Sequence, residues 1–105
     1  MIKAKVCWTD LALNDLETIY DFLAEKSRPA AQRLVEAILN RTRQLESFPE
    51  SGAPLVSNKF THQDYRFLVE GNYKIVYCYI TQSSTVYVAT LFDARLHPDK
   101  FGVSK

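Results

Sequence analysis

Glycine, proline and cysteine are all scarce in this chain, with three, four and two among 105 residues. So few flexible or chain-breaking residues exclude a linker or a collagen-like repeat. With 47% hydrophobic and 24% charged residues, a packed globular core is expected instead. Two cysteines exclude a disulfide-built scaffold. Cys7 and Cys78 stand alone in apolar runs without CxxC spacing or a neighbouring histidine, so they read as buried free thiols and indicate no metal or redox centre. No stretch approaches the roughly 18–20 apolar residues of a membrane span. Nor does the opening Met1-Ile2-Lys3-Ala4-Lys5-Val6-Cys7-Trp8 contain a signal-peptide core. The expected setting is the cytoplasm, with no membrane partner and no cofactor.

A large charge of one sign is missing too. The formal net charge is +1, but it hides a division. Residues 9–50 carry eight acidic side chains against five basic ones, and the remainder carries eight basic against four acidic. The basic part falls short of the dense stripe expected of a dedicated duplex-DNA binder.

What is present reads as one domain over residues 1–105, large enough to bury about 60–70% of the surface of its unfolded form. Ile2, Ala4, Val6 and Trp8 alternate with Lys3 and Lys5, as in a strand over 2–8. Thr9 or Asp10 can cap a helix in which Ala12, Leu16, Ile19 and Leu23 share a face, with Asn14, Asp15, Asp21 and Glu25 off it; it ends near Lys26-Ser27. Pro29 suits the first turn of a second helix, with Leu34, Ile38 and Leu45 inward, which Phe48-Pro49 stops. Joined by so few residues, the two helices must form an antiparallel hairpin. Residues 49–63 lack a sustained period and read as a surface loop. Strands at about 64–70, 73–80 and 85–92 follow, the first two turning tightly at Gly71-Asn72, as an antiparallel meander. The class is α+β, with helices on one sheet face. Alternation puts Tyr73, Ile75, Tyr77 and Tyr79 on one face and Lys74, Val76, Cys78 and Ile80 on the other. Both faces are apolar, so the one away from the helices is expected to need a cover, and a partner protein would supply it.

This order, together with particular residues, resembles the RelE/ParE superfamily of toxins from type II toxin–antitoxin pairs. The similar stretches are Trp8-Thr9 with Ala12, Asp15, Leu16, Ile19 and Tyr20; Leu45-Glu46-Ser47-Phe48-Pro49 with Gly52; Tyr65-Arg66 with Gly71-Asn72-Tyr73-Lys74-Ile75-Val76-Tyr77; and Leu91-Phe92-Asp93-Ala94-Arg95 with Pro98, in a form common among ParE-like members. The resemblance implies a cognate antitoxin as partner, with DNA met only indirectly through it. It also implies one of two activities. ParE-type members poison DNA gyrase and block replication without a known catalytic site; RelE-type members cut messenger RNA in the ribosomal A site. An inactive toxin retained as the antitoxin's partner and co-repressor is the third alternative.

RNA cleavage through the 2′-hydroxyl needs a base, an acid and cations on the phosphate. Arg66, Lys74 and Arg95 could provide charge and His97 could exchange a proton, so a ribonuclease would use Arg66, Arg95 and His97. Against this, the six-residue step from the final-strand arginine to the family's C-terminal tyrosine lands on Phe101, which has no proton to move. His97 is held extended by Pro98, and His62 has no recognisable partner. Only Lys59 stands where ribosome-dependent relatives carry several lysines before the meander. The expectation is therefore a gyrase inhibitor rather than an enzyme. Arg66, Lys74, Tyr73, Tyr77 and Arg95 are its candidate contacts to target or antitoxin, although Arg66 could instead pair with Asp64 or Glu70, and Arg95 with Asp93.

Overall fold

Thr9 makes the first turn of the fold. A computed structural model describes residues 3–55 and 64–96 of the chain. In it the first strand, β1 (Lys5–Trp8), runs into Thr9, whose extended backbone and hydroxyl cap helix α1 (Asp10–Ala24) by accepting the Ala12 amide at 3.1 Å. The same hydroxyl lies 3.0 Å from the Val88 and Ala89 carbonyls, which act as its acceptors. A second cap, Ser27, accepts from the Ala30 amide at 3.2 Å and starts α2 (Arg28–Arg43) with Pro29 in its first turn. The helix tightens into a 3₁₀ turn at Gln44–Glu46, so regular α structure stops short of the expected Phe48.

The meander is present as β3 (Tyr65–Glu70), β4 (Tyr73–Ile80) and β5 (Thr85–Asp93). Gly71 opens the β3–β4 turn with a φ of 60°, the left-handed value a type II′ hairpin requires at that position. A two-residue strand, β2 (Ala53–Pro54), pairs antiparallel with β3 inside the stretch expected to be loop. Proline is tolerated there because β2 is an edge. The sheet order is β1-β5-β4-β3-β2; β1 joins β5 in parallel, with Lys5 beside Thr85 and Trp8 beside Val88. Between β4 and β5 the register slips: Val76 faces Thr90 and Tyr77 faces Val88, leaving Ala89 as a bulge whose carbonyl Thr9 meets.

The core lies between the sheet and the helices. Ala12, Ile38, Leu45, Leu68, Ile75, Tyr77, Val86, Val88 and Leu91 form it, flanked by Trp8, Leu16, Ile19 and Leu34. Cross-strand partners share a face, so the pairs Leu68–Ile75, Ile75–Leu91 and Tyr77–Val88 point together at the helices. The opposite face differs from expectation. Val76, Phe92 and Cys78 on it are only 2%, 4% and 8% exposed in the single chain, and the Lys74 ammonium covers the Phe67 ring at 4.7 Å. On the same face Val69 and Tyr87 stay 46% and 40% exposed, so part of it remains apolar and open. Among the described residues, no helix is long and apolar enough to cross a membrane.

Candidate functional site

Two groups of the sequence's candidate residues take defined positions, one at each end of the meander. At the first, β4 begins and β5 ends side by side, because Tyr73 pairs with Asp93 and the Ala94 amide donates to the Asn72 carbonyl at 2.8 Å. Asp93 then binds Arg95 three times. Its Oδ1 accepts from the Arg95 backbone amide at 2.9 Å and from Nε at 3.2 Å, and its Oδ2 from Nη2 at 2.8 Å. This two-pronged ion pair is a local clasp, the Asp93 side chain nearly buried and the Arg95 side chain 66% exposed. The guanidinium hydrogen bond, helped by backbone amides, holds the Asp93 carboxyl below its usual range against the opposing effect of burial. Burial, then the Asp93 charge, push the Tyr73 phenol up, with Arg95 opposing. Tyr73 therefore stays protonated near neutrality and is no base there.

At the second, Tyr77 reaches across to Gly52, beyond the 3₁₀ turn. Its hydroxyl accepts the buried Gly52 amide at 2.9 Å, and the Gly52 carbonyl accepts from Arg66 Nη1 at 2.9 Å. A side chain at Gly52 would meet Tyr77 Oη at 2.7 Å and the Phe67 carbonyl oxygen at 2.8 Å, so only glycine lets the chain approach this closely. Burial raises the Tyr77 pKa, while the Gly52 amide and the Arg66 charge pull the other way.

The candidates thus do not converge. Arg66 pairs with Tyr77 on the helix side of the sheet, whereas Lys74 pairs with Val69 and Phe92 on the other. Tyr77 is 0% exposed, and Arg66 holds the Gly52 carbonyl rather than Asp64 or Glu70. Glu70 is instead 3.7 Å from Arg41, whose Nε also donates to the Val69 carbonyl at 3.2 Å. Tyr73, Lys74 and Arg95 are the three that come together, around the β3–β4 turn. His97, Phe101, Pro98, His62 and Lys59 lie outside the described residues.

Asp15 is a residue whose role the sequence reading missed. Expected off the buried helical face, it accepts from the Thr90 hydroxyl and from the Leu91 amide, the latter at 3.2 Å, and so ties α1 to the part of β5 beyond the reach of β1. The signal lay in its spacing: three residues after Ala12 and four before Ile19, Asp15 flanks the apolar stripe. The two thiols are free; Cys7 faces Tyr87, which faces Cys78, so a strand separates them, and burial pushes the Cys78 thiol up. Among the described residues, no group of three or more histidine, cysteine or acidic side chains could hold a metal ion.

The helical hairpin laid on a five-stranded mixed sheet is the RelE/ParE fold. The structure of the chromosomal ParDE system of Pseudomonas aeruginosa is similar, with a TM-score of 0.69 at 19% identity over 87% of this chain and 96% of that one. So is the toxin–antitoxin complex RelBE2 of Mycobacterium tuberculosis, with a TM-score of 0.65 at 15% identity over 88% and 99%. A free-state arginine mutant of Escherichia coli toxin RelE gives 0.58 at 15% identity over 92% and 88%. No curated protein matches in sequence. The family model for the ParE toxin of the type II toxin–antitoxin system parDE matches residues 6–95, so the chain belongs to that toxin family.

Proposed function

We propose that this toxin inhibits DNA gyrase by binding it, thereby blocking replication in the cytoplasm, and that a cognate antitoxin neutralises it. The observation that carries the reading is the ParE match across residues 6–95, which includes the Arg95 clasp and both strands of the β3–β4 hairpin. Local chemistry supports it. General acid–base cleavage calls for a group poised to exchange a proton near the working pH. Beside Arg95 stand a carboxylate held ionised by that arginine and a phenol whose pKa is raised. Those groups suit a fixed, charged contact surface better than proton transfer. The antitoxin follows from the same family membership, and the ParDE and RelBE2 structures are of such toxin–antitoxin systems.

Induced expression without antitoxin tests the proposal, with DNA damage response and messenger RNA integrity followed in parallel. Filamentation and a damage response with intact transcripts are expected. Codon-specific cuts at the ribosomal A site in cells with undamaged DNA would instead establish the RelE-like activity.

A further inference from the structure

We infer that the concavity between Lys74 and Arg95, where the β3–β4 turn meets the exit of β5, receives an acidic side chain of a partner peptide. The inference rests on the toxin reading and assigns the antitoxin a contact point on this chain. The depression measures about 250 Å³, room for one side chain and part of its neighbour. Its floor is the turn itself: Gly71 contributes no side chain, and a Cβ there would meet nothing within 4 Å. Val69, 46% exposed, forms an apolar wall, and Ala94 another part of the rim.

The lining has two cations and no carboxylate. Lys74 forms no ion pair among the described residues; its ammonium rests on the Phe67 ring, an attraction that leaves its hydrogen-bond donors open. Among the described residues Arg95 is engaged by Asp93 alone, through Nε and Nη2 of a guanidinium that carries five N–H donors. Asp93 therefore works as a brace. It fixes the planar group and leaves the outer donors available, so less side-chain freedom is lost when an anion arrives. A pair of cations beside an apolar wall matches a glutamate or aspartate adjoining an apolar residue. A nucleic-acid backbone would call for a longer basic track, whereas this chain carries a net charge of only +1.

The test is the affinity of the full chain for the cognate antitoxin that the toxin reading requires, measured across a salt series. The proteins compared are the unaltered toxin, Lys74→Gln, Arg95→Gln, the double variant, and Arg33→Gln on the exposed face of α2 as control. Each single change should weaken binding by about 10–150-fold, the range of a lost hydrogen bond to a charged group. The double variant should flatten the salt dependence, and the control should match the unaltered chain. Lys74→Gln keeps most of the stem and leaves the Asp93 clasp alone, and its melting temperature checks folding. Equal affinity for all variants would overturn the inference while leaving the toxin reading in place. No binding by the unaltered chain would overturn both. Variants that lose affinity only for a single-stranded RNA oligonucleotide would overturn it in favour of nucleic-acid recognition.

Discussion

Replacing Tyr77 by phenylalanine removes one oxygen from the centre of the fold and isolates what the Gly52 contact contributes. The ring still fills its place in the core, between Val88 on β5 and Arg66 on β3. What changes is the Gly52 amide, which loses the acceptor now 2.9 Å away in a buried position. A buried donor left without a partner costs about 1–3 kcal/mol, more than the net gain of an ordinary hydrogen bond, because its desolvation is no longer offset. Domains of this size shift by roughly 4–8 °C per kcal/mol, so the melting temperature should fall by roughly 4–24 °C. Urea unfolding should show a lower midpoint with an unchanged slope, since the surface exposed on unfolding is nearly the same. A loss below about 0.5 kcal/mol would refute the reasoning, for it would mean that water or a small backbone shift satisfies Gly52 as well as Tyr77 does.

Gly52→Ala should cost about 1–3 kcal/mol by overpacking, since its new methyl would lie 2.8 Å from the Phe67 carbonyl oxygen, which is fixed backbone; denaturant unfolding measures it, and full stability would show that β2 can move away freely. Asp93 gives a pH dependence of known sign. Its folded pKa lies below the ordinary 3.8, so the native state binds fewer protons than the unfolded one, and the clasp's contribution is present above that pH and is lost as pH falls through the folded value. Arg95→Ala removes the main cause of the shift and should flatten the acid limb of the stability profile; an unchanged limb would place the cause elsewhere. Growth inhibition separates catalysis from contact: His97→Ala should leave toxicity nearly intact, whereas Arg95→Ala weakens it by removing a charged contact. Loss of about 10²–10⁴-fold on His97→Ala, with antitoxin binding preserved, would mark a general acid or base and contradict the non-enzymatic account.

Local chemistry was legible in the sequence wherever one residue decides a local geometry. Thr9, Pro29 and Gly71 each set a cap, a first helical turn or a hairpin turn, and they stand where the periodicities change; the capping role of Ser27 emerged only in the structure. The inward faces of α1 and α2 followed from spacing in the same way, and alternation separated the two faces of β4 without saying which one points inward. Parallel pairing of β1 with β5 was not legible, because the partners lie some eighty residues apart and a four-residue strand carries no record of its neighbour. Nor was β2: Ala53–Pro54 has no strand pattern, and it pairs because the contacts of Gly52 with Tyr77 and Arg66 bring the chain to β3. The bulge at Ala89 depends on Thr9, a residue on another element. Among the candidate site residues, alternation already separated Lys74 from Tyr73 and Tyr77. The occupation of Arg66 by a glycine carbonyl fourteen residues earlier could be seen only in three dimensions.

The central claim, inhibition of gyrase by binding, is tested most directly with purified components. Gyrase supercoiling of relaxed plasmid is measured against toxin concentration, with and without antitoxin, beside a ribosome-programmed messenger RNA cleavage assay using the same preparation. The account predicts loss of supercoiling that is dose-dependent and reversed by antitoxin, with messenger RNA left whole. Unimpaired supercoiling together with cleavage of messenger RNA on the ribosome would contradict it.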